Sequence, residues 1–93
     1  MTRCLFKVED TFSIAGRGLV LFPGIIPIGD ERFRVGDPLI LKRPDGMIVS
    51  TVIAGLELMC PNPRRDVVIM LKGFTKEGVP VGTEVWSAED GDR

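Results

Sequence analysis

Glycine and proline punctuate this chain so often that they decide what it can fold into. Eleven glycines and seven prolines are spread along 93 residues, and no stretch between them has room for a long amphipathic helix. The stretches themselves are rich in Val, Ile, Leu and Phe, which suit a pleated, half-buried surface. Strands are therefore expected over residues 4–8, 12–14, 19–22, 39–42, 47–58, 66–72 and 82–87. Gly16-Arg17-Gly18 reads as the turn of a hairpin over 12–22, and Pro23-Gly24 as the end of that run. Pro44-Asp45-Gly46 is a second tight turn, and Gly55 predicts a bulge or bend inside the longest strand. Val67, Ile69 and Leu71 alternate, so they share one core-facing side. Residues 24–37 are the least regular part. Short strands at close spacing with turns between them predict an all-β fold, and in so short a chain a small closed antiparallel β-barrel, because closure removes exposed edges. Residues 1–87 then form one domain, and 88–93 an acidic, frayed tail.

Apolar residues make up 44% of the chain, enough for a packed core. The net charge of −1 lacks the basic excess of a dedicated nucleic-acid binder. Histidine is absent, which removes the commonest general base and metal ligand. Glu9-Asp10 and Glu89-Asp90 are adjacent carboxylates, and since neighbours on a strand point to opposite faces they are expected to make poor acid–base pairs. No catalytic activity, metal or cofactor is expected. Cys4 and Cys60 are too few for a zinc site and read as reduced thiols. No apolar run has the length of a membrane span or a leader, so the expected location is the cytoplasm.

Several segments occur in an order that resembles the second, β-barrel domain of translational GTPases of the elongation factor Tu type. Residues 8–18 (Val-Glu-Asp-Thr-Phe-Ser-Ile-Ala-Gly-Arg-Gly) look like that family's opening hairpin. Val35-Gly36-Asp37 is similar to the turn before its next strand, and residues 51–58 to the strand with its Gly-x-Glu pattern. Leu71-Lys72-Gly73-Phe74, with Val79 and Gly82, looks like its closing segment. The resemblance runs from about Cys4 to Ser87 and implies a barrel without the GTPase domain. No phosphate-binding Gly-x-x-x-x-Gly-Lys-Ser/Thr loop occurs, so no nucleotide is expected. In the family this barrel helps hold the acceptor end of aminoacyl-tRNA. The resemblance puts the glutamate that lies against the terminal adenosine at Glu57, but Cys60 stands where the family has an arginine. The stretch from Leu21 to Arg34 is longer than the family's and different in composition.

The candidate binding residues follow from both readings. Arg17, on the hairpin tip, suits a contact to phosphate or a partner; Glu57 suits a ligand pocket. Asp30-Glu31-Arg32-Phe33-Arg34 sets mixed charge around an aromatic ring on a loop, the composition of a protein-contact surface. Arg64 and Arg65, with Arg3, Lys7, Lys42 and Arg43, are the material for a basic patch. Base stacking would fall to Trp86 or a phenylalanine, since tyrosine is absent. The expected function is a non-catalytic module binding a protein. The alternative is an RNA- or ribosome-binding protein that contacts tRNA or the ribosome. A small-molecule sensor ranks last, since side chains usually fill so small a barrel.

Overall fold

The structure is a computed structural model that describes residues 3–57 and 67–88. Its elements are β1 (Cys4–Lys7), β2 (Asp10–Ile14), β3 (Gly18–Ile25), β4 (Pro38–Lys42), β5 (Ile48–Val52), β6 (Gly55–Glu57), β7 (Val67–Leu71) and β8 (Glu84–Ser87). No helix occurs among the described residues, and so none long and apolar enough to cross a membrane.

Most strand ends lie within two residues of the sequence reading, and two places differ more. β3 does not stop at Pro23-Gly24 but runs on to Ile25, with its register against β7 shifting between Leu21 and Ile25. Proline has no N–H for the ladder, so pairing skips past it and resumes at Ile25 with Val67. The long strand expected over 47–58 is broken at Ile53 and Ala54 into β5 and β6, which belong to different sheets. Ile53 N–H donates to Asp37 O at 2.9 Å, in the line of β4, whereas Ala54 N–H donates to Met70 O at 2.9 Å, on β7. The bend thus falls just before Gly55.

The strands form two four-stranded antiparallel sheets, in the orders β1-β8-β4-β5 and β2-β3-β7-β6. Neither sheet closes on itself. The edge strands of the first sheet are β1 and β5, and each runs straight into an edge strand of the second, β2 and β6. At the first corner Val8 N–H donates to Thr83 O at 2.8 Å and Glu9 N–H to Phe22 O at 2.9 Å, so adjacent residues bond to opposite sheets.

The core lies between the sheets. Leu19, Leu21, Ile69 and Leu71 from one sheet meet Leu39, Leu41 and Val85 from the other, with Ile25, Ile53 and Val79 filling in, all essentially inaccessible. Each such side chain contributes about 1.5–3 kcal/mol by leaving water. Ile69 and Leu71 face this core as their alternation predicts, and Val67 packs half-buried at its margin. The other side of β7 is not polar. Val68 and Met70 are buried there with Val20, under Ile14 and Phe22. Residues 67–71 are an unbroken apolar run, which marks a strand covered on both sides.

Candidate functional site

The loop after β3 is tied down at both ends. Glu31 accepts two hydrogen bonds from the Arg3 guanidinium, one of them from Nε at 2.9 Å, and a third from Ile28 N–H at 2.9 Å. Arg3 Nη2 also donates to Ile26 O at 3.4 Å. This double contact and the Ile28 N–H hold the Glu31 carboxyl well below the usual carboxylate range, at about 2, and the same contact raises Arg3. Further along, Asp37 accepts from Arg34 N–H at 2.9 Å, Asp37 N–H donates to Arg34 O at 3.1 Å, and Gly36 N–H donates to Ile53 O at 2.7 Å.

These ties present Arg32, Phe33 and Arg34 together. Phe33 is half-buried against the main core, while the two arginines beside it are exposed. Phe33 forms a shared wall of two open clefts. The larger, of about 520 Å³, is lined by Pro27, Glu31, Arg32, Phe33, Arg34 and Val67. The smaller, of about 250 Å³, lies between Arg32, Phe33, Asp37 and the end of β8 at Ser87 and Ala88. Neither guanidinium has an ion-pair or hydrogen-bond partner among the described residues. Glu31, the acid nearest them in the larger cleft, is already matched by Arg3. Among the described residues the larger cleft therefore carries an excess of positive charge beside an aromatic wall, while in the smaller one Asp37 faces Arg32.

Arg17 and Glu57 stand forty residues apart in sequence, and the fold brings them together. Arg17 Nη2 lies 3.5 Å from Glu57 Oε2. Both are substantially exposed, and an exposed pair this long contributes about 0–1 kcal/mol. Its consequence is electrostatic: the cation expected to meet phosphate and the anion expected in a ligand pocket largely cancel. Beside them is the outer apolar patch of Val20, Val68, Met70, Ile14 and Phe22, with Phe12 exposed on the same side opposite Val20.

Of the expected basic patch, Arg3, Lys7 and Lys42 come close enough to Cys4 to act on its thiol, but most of its described members are engaged within the protein. Arg3 is bound to Glu31, Arg43 Nη2 lies 3.0 Å from Asp45 Oδ2, and Lys42 Nζ sits 4.0 Å above the Trp86 ring. Lys7 pairs across from Glu84. Arg64, Arg65 and Cys60 lie outside the described residues. Trp86 is an occupied platform: Lys42 covers one face and its indole N–H donates to Glu84 at 2.9 Å. Cys4 is an exposed free thiol rather than a small core hydrophobe, its pKa raised by partial burial and then by Glu84. The clefts themselves had no sequence signal, because Pro27, Val67 and Ser87 reach them from three different segments. Comparisons of the chain with models of known families, with curated proteins and with solved structures give no match.

Proposed function

We propose that this chain is a non-catalytic binding module that holds a protein partner at Arg32, Phe33 and Arg34. The observation that carries this reading is the two guanidiniums, unpaired among the described residues, that line clefts sharing a phenylalanine wall. A partner segment that combines a carboxylate with an apolar side chain matches both features. The carboxylate forks onto an arginine while the apolar group enters beside Phe33, Pro27 and Val67. The anchored loop limits the ordering cost on binding.

The same proposal takes the fold to be a closed barrel of the translation-factor second-domain kind. In its favour, the edge strands of one sheet continue into the edge strands of the other at two corners. The resemblance then suggests a partner among proteins that bind such second domains.

RNA or ribosome binding is the second reading, because arginines beside an aromatic ring also suit a stacked base and its phosphate. Against it stand the net charge of −1 and the engagement of Arg17, Lys42 and Trp86 within the protein.

A pull-down from native extract at low and moderate salt, identifying protein and RNA, tests the choice. The expected result is one protein retained at moderate salt, with recovery falling about tenfold or more in an Arg32→Ala/Arg34→Ala double variant, as loss of charge-assisted bonds demands. Recovery of tRNA or ribosomal RNA that vanishes as salt rises would decide for the RNA reading. A retained protein indifferent to the double variant would remove this loop from the function.

A further inference from the structure

The geometry points to β5 as the site where two copies of this chain pair, edge to edge, about a two-fold axis at Ser50. The first sheet leaves β5 bonded on one side only, to β4. Arg43 N–H donates to Met47 O, and the register pairs Leu41 with Val49 and Leu39 with Thr51. In an antiparallel ladder hydrogen-bonded residues alternate, so Met47, Val49 and Thr51 turn their N–H and C=O groups toward β4. Ile48, Ser50 and Val52 therefore turn theirs to the outer edge, where no described residue meets them. Their side chains are exposed as well, Ile48 by 64% and Val52 by 47%.

The other edges are each protected, and β5 is not. β1 carries a register shift between Cys4 and Phe6 and the charged Lys7. On β2 the Asp10 carboxylate accepts from Thr11 N–H at 2.8 Å. β6 is three residues long. These are the usual devices that prevent edge pairing. β5 has no charge, proline or bulge, and residues 47–54 contain no charged side chain at all.

A second copy fits this edge because β5 is complementary to itself. Antiparallel pairing about Ser50 sets Ser50 opposite Ser50 of the second copy and Ile48 opposite its Val52. Every residue so paired is one whose backbone groups already face outward, and each such pair exchanges two hydrogen bonds. The exposed Ile48 and Val52 then meet across the junction as an aliphatic cross-strand pair. The result joins the two β1-β8-β4-β5 sheets into one continuous sheet. A single strand pairing buries less than the ~1,000 Å² of a stable interface, so the dimer dissociates in about the micromolar to millimolar range.

Sedimentation of the full chain from micromolar to near-millimolar concentration tests this. A concentration-dependent dimer is expected, and Ser50→Lys, which sets like charges opposite each other at the axis, should weaken it about tenfold or more while leaving the melting temperature in place. Should Ser50→Lys fail to fold, crosslinking decides. With Cys4→Ser and Cys60→Ser in the background, Ser50→Cys should oxidise to a covalent dimer, because residues paired on the axis lie about 5.5 Å apart between Cα atoms. Val52→Cys, which faces Ile48 instead, should not. A chain that stays monomeric throughout, a dimer unmoved by a folded Ser50→Lys variant, or equal crosslinking at both positions would overturn the proposal.

Discussion

At the scale of single residues, two neighbouring glycines of the first hairpin do different work. Gly16 has φ +77° and nothing within 4 Å of where a Cβ would stand, so its constraint is backbone conformation alone. Gly16→Val should cost about 1–2 kcal/mol by forcing a branched residue into the left-handed region. At Gly18 a Cβ would stand 2.3 Å from Leu71 O, a backbone atom that cannot swing aside. Gly18→Ala should cost about 3 kcal/mol or more, because β3 and β7 must move apart. Urea unfolding of both variants gives the order; equal losses would mean that hairpin and strand are not in contact. Ile69, fully buried at the centre of the core, should lose about 2–5 kcal/mol on truncation to alanine. A loss well under about 1 kcal/mol would place its side chain outside the core.

At the scale of elements, the loop of residues 26–37 shows how irregular chain is held in shape. Its anchor is acid-sensitive in a definite direction. Glu31 titrates near 4.5 when free and at about 2 when bound to Arg3. Its folded-state value is depressed, so the anchor contributes fully above the free value and fades as pH falls from about 4.5 toward 2. Amide exchange or limited proteolysis of the loop should therefore accelerate over that window, and Glu31→Gln should make the loop labile already at neutral pH. Loop protection unchanged by Glu31→Gln would show that Asp37 and Gly36 suffice. β7 illustrates the converse case, a regular element covered on both sides. Its inner residues hold the sheets together, while Val68 and Met70 support the outer patch above which Arg17 and Glu57 meet.

At the scale of the whole molecule, the two sheets share their edge strands through continuous chain, with corners at Val8–Glu9 and Ile53–Ala54. Sharing of this kind couples the sheets. Bending one strand at Ile53 fixes both where β5 ends in the first sheet and where β6 begins in the second. It also leaves each of them an edge strand bonded on one side, β5 to β4 and β6 to β7. The surface is therefore uneven: an aliphatic edge at β5, an apolar patch beside the matched pair of Arg17 and Glu57, and a cleft at the loop with excess positive charge. Binding assigned to the clefts and pairing assigned to β5 use different residues, so the double arginine variant should leave self-association unchanged.

Local chemistry already settled much of this in the sequence. Turns at Gly16 and Gly46 follow from a backbone angle that glycine adopts freely, and the inward faces of Ile69 and Leu71 follow from the two-residue period of a strand. Arg32, Phe33 and Arg34 were legible as a charged, aromatic loop because composition is local. Tertiary structure decided what depends on distant segments. The break between β5 and β6 reflects competition between β4 and β7 for hydrogen bonds from adjacent residues, and no propensity encodes the winner. Arg17 meets Glu57 across forty residues, and Arg3 silences Glu31 across twenty-eight. Which charges remain free to bind is a property of those pairings, since an ion pair depends on where side chains meet in space and not on their order along the chain.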